Sequence, residues 1–121
     1  MKIFYHKDWR GNFGDDLNEI FFSKYAPGFE SSRKYDKLYG IGTLLNNVHG
    51  DINRSIIFGS GFGYGDSVNI SDDSLIVGVR GPWTAKKLGL SSVKIIGDPA
   101  FLIEEVFPGA VEDGDYDVCA L

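Results

Sequence analysis

Short apolar runs recur along the chain, and a glycine or a polar turn follows most of them. Their β-branched and aromatic content is typical of strands, and near-continuous apolar runs are typical of strands covered on both faces of a sheet. The strands predicted in this way span residues 2–6, 37–42, 55–58, 75–79 and 93–96. The pattern indicates an α/β fold that is Rossmann-like, with a mostly parallel sheet and flanking helices.

The stretch between the first two predicted strands has the spacing of an amphipathic helix. We predict this helix over residues 16–25, with Asp15 as its N-cap and with Leu17, Ile20 and Phe21 facing the core. A second, short helix is predicted over residues 43–48.

Residues 74–100 are the unit around which the chain is organised. Pro82 suits a first helical position and Gly89 suits a helix end, so a crossover helix separates the strand at 75–79 from the strand at 93–96. The connection is long enough for parallel pairing. Arg80 and Asp98 each follow one of these strands, and they are therefore predicted to meet at the carboxyl edge of the sheet, where open α/β sheets bind ligands.

Composition excludes several classes of protein. A length of 121 residues suits one domain, and a net charge of −5 with no basic stripe argues against nucleic-acid binding. The N-terminal apolar run is too short for a signal peptide or a membrane span, so we expect a cytoplasmic protein. Cys119 is the single cysteine and is predicted to be a buried filler, and His6 and His49 lack metal-like spacing, so no metal site is predicted.

The end of the sequence indicates a domain boundary. Residues 108–115 are acidic and contain glycine, and an apolar run begins directly after them. We predict a domain over residues 1–112 and the start of a second domain over residues 113–121.

Polar side chains cluster where the first strand leads into the first helix. Asn12, Asp15, Asp16 and Asn18 could hold sugar hydroxyls there, although helix capping by Asp15, with Asp16 in the first turn, would need no ligand. Further along, the glycine-rich loop at 59–66, which contains Gly61, has Tyr64 where a dinucleotide fingerprint needs its third glycine. This loop is predicted to form the rim of a binding cleft, with plain turn chemistry as the alternative.

Arg80 and Asp98 each have two interpretations. A cation at the end of a buried strand is either paired with a carboxylate or available to an anion, and we favour a ligand or a cross-domain role for Arg80. Asp98 is either a helix cap or, with Asp15 and Asp16, a candidate catalytic carboxylate.

Several motifs, in their order along the chain, resemble the polysaccharide pyruvyl transferases. They are Gly11-Asn12-Phe13-Gly14-Asp15-Asp16-Leu17-Asn18, Gly40-Ile41-Gly42-Thr43-Leu44-Leu45, Phe58-Gly59-Ser60-Gly61, Val79-Arg80-Gly81-Pro82-Trp83-Thr84 and Gly97-Asp98-Pro99-Ala100-Phe101. The resemblance covers nearly the whole chain but only the N-terminal half of the family.

The resemblance implies one half of a GT-B-like enzyme with two Rossmann-like domains. The implied reaction transfers pyruvate from phosphoenolpyruvate to two hydroxyls of a sugar, as a ketal, in the synthesis of a cell-surface or exported polysaccharide. Phosphoenolpyruvate is then the donor substrate and no cofactor is expected. The resemblance places Arg80 at the donor's negative charge and Asn12, Asp15 and Asp16 on the acceptor side.

The implied partners are a sugar or polysaccharide-precursor acceptor, which could be lipid-linked and bring the protein to a membrane surface, and a missing C-terminal domain. That domain would supply much of the donor pocket, including an acid-catalytic histidine, so these 121 residues alone are expected not to turn over phosphoenolpyruvate. A nucleotide-sugar glycosyltransferase domain and a non-catalytic sugar-binding or interaction module are the alternatives.

Overall fold

The computed structural model describes residues 1–6, 9–91 and 94–109, and its centre is a parallel β-sheet. The four strands are β1 (Lys2–Phe4), β2 (Lys37–Tyr39), β3 (Ser55–Phe58) and β4 (Leu75–Gly78). They lie side by side in chain order, and each pairs in parallel with the next. The predicted α/β class and parallel sheet are confirmed, and the sheet is consistent with a Rossmann-like domain.

The parallel direction of the four strands places the turns that follow them along one edge of the sheet. Because the strands run in the same direction, the segments that follow residues 4, 39, 58 and 78 leave the sheet at its carboxyl edge. Within the described residues the order shows no reversal, so the crevice at which many doubly wound folds bind ligands is not formed between these four strands.

The first helix, α1 (Phe13–Tyr25), begins earlier than its predicted start at residue 16. Asn12 is the N-cap, and its side-chain oxygen accepts a hydrogen bond from the backbone N–H of Asp15 at 3.3 Å. The prediction that Asp15 caps this helix is therefore wrong. Asp15 and Asp16 instead lie in the first turn, where a negative charge interacts favourably with the positive end of the helix dipole.

The buried face of α1 is centred on a polar residue. Leu17 and Phe21 are buried as predicted, but Ile20 is 44% exposed, and the prediction that it faces the core is wrong. Phe22 is buried instead, because the face turns toward Asn18. Hydrophobic periodicity assigns polar residues to the solvent-exposed face of a helix, so the buried Asn18 shifted the predicted core-facing side of α1.

Asn18, which sequence analysis grouped with the candidate sugar-binding side chains, is fully buried and instead ties α1 to the end of β2. Its amide nitrogen donates to the carbonyls of Asp15 and Ile41, both at 2.9 Å, and its oxygen accepts from the N–H of Ile41 at 2.7 Å. Gly40 lies directly against this contact, because a Cβ there would lie 2.3 Å from the Asn18 oxygen and from the Phe22 ring. The turn after β2 is thus fixed to the first turns of α1.

Hydrophobic side chains cover both faces of the sheet. The core on the side of α1 contains Leu17, Phe21, Phe22, Leu38 and Ile41. The core on the opposite side contains Tyr39, Leu44, Leu45, Ile52, Ile57, Phe62, Val68, Val79 and Ala85. The helix α1, between β1 and β2, therefore packs on one face, whereas most core residues of the connections after β2, β3 and β4 pack on the other.

The prediction of a helix over residues 43–48 is wrong. This connection contains one 3-10 turn, Asn47–His49, which Asn46 caps. The backbone N–H groups of Leu45 and Asn47 donate to the carbonyls of Gly61 and Asp66 in the next connection. Because these donors bond to a neighbouring loop, they are not available to an α-helix.

The crossover after β4 matches the prediction at both ends. The helix α2 (Pro82–Lys87) begins at the proline, and Gly89 follows it with a φ of 65°, a value that favours glycine. Ile95 then forms a parallel bridge with Val79. The predicted parallel neighbour of β4 is present at that bridge, while Val93 lies outside the described residues.

The prediction that β4 is covered on both faces is wrong for the described part of the chain. Leu75 and Val77 are 43% and 39% exposed. The core on the side of α1 takes its strand residues from β1, β2 and β3, so α1 does not extend over β4.

The described chain ends in a short helical segment. A 3-10 helix, Pro99–Leu102, leads into α3 (Ile103–Val106). Asp98 caps it as predicted, because its Oδ1 accepts from the N–H of Ala100 at 3.0 Å. The predicted domain start at 113–121 and the predicted burial of Cys119 lie outside the described residues. None of the helices in the described ranges is long and apolar enough to cross a membrane.

Replacing Asn18 by alanine is expected to destabilise the domain strongly. The substitution leaves the buried N–H and C=O of Ile41 without their partner, at a cost of about 3 kcal/mol in the free energy of unfolding. Denaturant unfolding followed by circular dichroism measures this cost. Ser23→Ala, on the exposed side of the same helix, is the matched control, and equal stability of the two variants would contradict the assignment.

Candidate substrate-binding site

The turns at the carboxyl edge hydrogen-bond directly to one another. The carbonyl of Gly42, after β2, accepts from the N–H of Gly61 at 2.9 Å and from the hydroxyl of Ser60 at 3.2 Å, both after β3. The carbonyl of Ser60 in turn accepts from the N–H of Arg80, after β4, at 3.1 Å. Backbone bonds of this kind fix the turns as one rigid edge.

The N-terminus of α1 joins the same edge. Asp15 is 8% exposed, and its Oδ2 accepts from the side-chain nitrogen of Asn12 at 3.0 Å. Its other carboxylate oxygen lies against Gly42, where a Cβ would be 3.0 Å away. Asn12 and Asp15 are therefore brought together beside the turn after β2, while Asp16 is exposed on the next helical position.

The pKa of the Asp15 carboxyl is raised above its ordinary value of 3.8. Burial is the main cause, because it penalises the charged form; the charge of His6 opposes the shift, and that of Asp16 adds to it. His6 is exposed and follows β1 at the same edge of the sheet, although its sequence spacing indicated nothing unusual. The signal that could have identified His6 is its position just beyond β1, at the same edge as the other polar groups.

Arg80 and Asp98 meet at this edge as predicted. The Nη1 of Arg80 lies 3.9 Å from the Oδ2 of Asp98, and the two side chains are 33% and 22% exposed. This distance is too long for a hydrogen bond. Asp98 therefore offsets the charge of Arg80 without accepting a hydrogen bond from Nη1. The predicted ligand or cross-domain role of Arg80 stays a prediction.

The Arg80 guanidinium is also held by two neighbours that sequence analysis did not connect to it. Its Nη2 donates to the Oγ1 of Thr43 at 3.1 Å. A Cβ on Gly61 would lie 2.4 Å from Cζ and Nη2 and 2.5 Å from Nε, so the guanidinium packs flat on the backbone there. Gly61 thus lies beneath Arg80, and its predicted contact with substrate stays a prediction.

In the described part of the chain, the site is an open edge and not an enclosed pocket. A cavity of about 310 Å³ borders Asp98, and Val77, Ile96 and Phe101 line its apolar side. Two larger cavities, of about 580 and 520 Å³, lie at the N-terminal residue and beneath α1, away from Arg80. The polar edge therefore resembles one wall of a cleft. The catalytic roles predicted for Asp15, Asp16 and Asp98 are not decided by this arrangement.

Comparison with known proteins gives one informative similarity. The chain is 38% identical over 109 residues to the succinoglycan biosynthesis protein ExoV of Rhizobium meliloti, an alignment that covers 88% of this chain. The same alignment covers 34% of ExoV, so the chain spans about a third of the length of that relative. No family model and no solved structure matches the chain.

Replacing Asp15 by asparagine is expected to change the pH dependence of stability. Because the folded-state pKa is raised, the folded state binds the Asp15 proton more tightly than the unfolded state. This contribution to stability is present below pH 3.8 and is lost as the pH rises through the raised folded pKa. The unfolding free energy of the parent protein, minus that of Asp15→Asn, should therefore fall over this window. Denaturant unfolding from pH 3 to pH 7 gives the difference, and a difference that rises would contradict the assignment.

Proposed function

We propose that this chain is the acceptor-side N-terminal domain of a polysaccharide pyruvyl transferase that acts in exopolysaccharide biosynthesis. The sequence similarity to a succinoglycan biosynthesis protein supports the pathway class. The proposed donor-binding site rests on one observation: the partly exposed Arg80 guanidinium lies at the carboxyl edge, where Thr43 accepts its hydrogen bond and Asp98 partly neutralises its charge.

Arg80 would bind the negative charge of phosphoenolpyruvate. In the proposed reaction, the methylene carbon of the enol takes up a proton and the neighbouring carbon gains cationic character. A sugar hydroxyl attacks that neighbouring carbon and gives up its proton to a base. The carbon–oxygen bond to phosphate breaks, and a second hydroxyl closes the ketal and releases its proton. A guanidinium suits this chemistry because it binds planar carboxylates and phosphates and stays charged.

Asn12, Asp15 and Asp16 would contact the acceptor sugar. Asp15 combines burial with a raised pKa, a combination that suits a group that accepts a proton from a hydroxyl. The proton donor to the enol carbon would come from the second domain of a GT-B-like enzyme, so residues 1–121 alone should release no phosphate from phosphoenolpyruvate. A cytoplasmic location and a peripheral contact with a lipid-linked acceptor stay predictions.

Replacing Arg80 by alanine in the full-length protein is expected to weaken phosphoenolpyruvate binding. Loss of one charge-assisted contact corresponds to about a tenfold or greater rise in Kd, which isothermal titration calorimetry measures. Arg33→Ala is the control, because Arg33 is an exposed cation that precedes β2 at the opposite edge of the sheet. An unchanged Kd in a folded Arg80→Ala protein would remove Arg80 from the donor site.

The same titrations distinguish the alternative functions. Saturable binding of phosphoenolpyruvate, and not of nucleotide sugars, supports pyruvyl transfer. Binding of nucleotide sugars alone would indicate a glycosyltransferase. Binding of neither donor would indicate a sugar-binding or interaction module.

A further inference from the structure

We infer that Gly61 and Thr43 are positioning residues that fix the orientation of the Arg80 guanidinium for a phosphate or carboxylate group. The inference rests on the proposed role of Arg80 in binding the donor anion. It assigns to two turns of the carboxyl edge the task of holding a flexible side chain in one orientation before the anion arrives.

Gly61 provides a flat surface for the guanidinium. Three guanidinium atoms lie at nearly equal distances, 2.4 to 2.5 Å, from the position that a Cβ would take, so the plane of the group faces the backbone. The φ of Gly61 is not among the positive values found at other glycines of the chain, so its backbone conformation does not require glycine. Room for Arg80 is the constraint at this position.

A methyl group at position 61 should move Arg80 and leave the fold intact. The atoms it would meet are the end of a long side chain, which can rotate away at low cost. Gly40 is different, because a Cβ there would meet the buried Asn18 and Phe22. Gly61→Ala is therefore a selective probe of guanidinium orientation.

Thr43 fixes the guanidinium within its plane. Its hydroxyl accepts the hydrogen bond from Nη2 at 3.1 Å. Its methyl group faces the loop after β3, because a Cβ on Gly63 would lie 2.8 Å from the Thr43 Cγ2. This packing restricts rotation about χ1, so the hydroxyl points toward Arg80.

Nη1 has no hydrogen-bond partner among the described residues, and we infer that it is the part of the guanidinium that would meet the anion. Nη2 is engaged by Thr43 and one flat side is covered by Gly61, while Nη1 faces Asp98 at 3.9 Å, beyond hydrogen-bond distance. An anion that binds to a side chain held in this way does not have to order it, and binding is correspondingly tighter.

The test is phosphoenolpyruvate titration of the full-length protein in a double-mutant cycle. Gly61→Ala and Thr43→Val should each raise Kd by about fivefold or more, because the loss of orientation or of one hydrogen bond is worth about 1 kcal/mol. Thr43→Ser, which keeps the hydroxyl and loses only the packing of the methyl group, should raise Kd less than Thr43→Val does. Gly14→Ala, in the first turn of α1, should also leave Kd unchanged.

In an Arg80→Ala background, Gly61→Ala and Thr43→Val should have no further effect on Kd, since both act through Arg80. If Arg80→Ala itself leaves Kd unchanged, the proposed donor site is wrong. If Arg80→Ala weakens binding but Gly61→Ala and Thr43→Val do not, the positioning role alone is wrong. Equal losses in both backgrounds, or failure of Gly61→Ala to fold by circular dichroism, would also overturn the positioning role.

Discussion

Hydrogen bonding between consecutive turns at the carboxyl edge is the constraint on which the rest of the site depends. The carbonyl of Gly42 accepts from the turn after β3, and the carbonyl of Ser60 accepts from Arg80 after β4. Parallel pairing brings these turns side by side, and their backbone groups need partners once the turns are partly buried. The loops bond to one another, and the edge is rigid because no turn can move without breaking bonds to its neighbour.

This rigid edge explains how a domain with short strands can hold charged groups in defined places. At one end, burial raises the pKa of Asp15, which Asn12 holds. At the other end, Arg80 lies on Gly61 between Thr43 and Asp98. In the proposed reaction, the cation would bind the donor anion and the carboxyl would accept a proton from a sugar hydroxyl. The edge formed by the described residues is open, as the proposed cleft between two domains would require.

Local sequence signals were reliable where one short segment decides the structure. The apolar run of β3, the proline and glycine around α2 and the cap at Asp98 all follow such signals. They failed where distant contacts compete with local preference. Leu45 and Asn47 donate to the neighbouring loop and not to a helix, and the buried Asn18 turns α1 so that Phe22 replaces Ile20 in the core.

The sequence alone was enough to predict the α/β class, the parallel pairing and the meeting of Arg80 with Asp98, because connections of a dozen or more residues are long enough for successive strands to run in parallel. The neighbours of Arg80 and Asp98 could be identified only from the tertiary structure. The contact of Thr43 with Arg80 joins residues 37 positions apart. The packing of the Arg80 guanidinium on Gly61 depends on how two turns lie against each other. Side-chain periodicity reports which face a residue occupies, whereas the atoms it meets there depend on the packing of the whole edge.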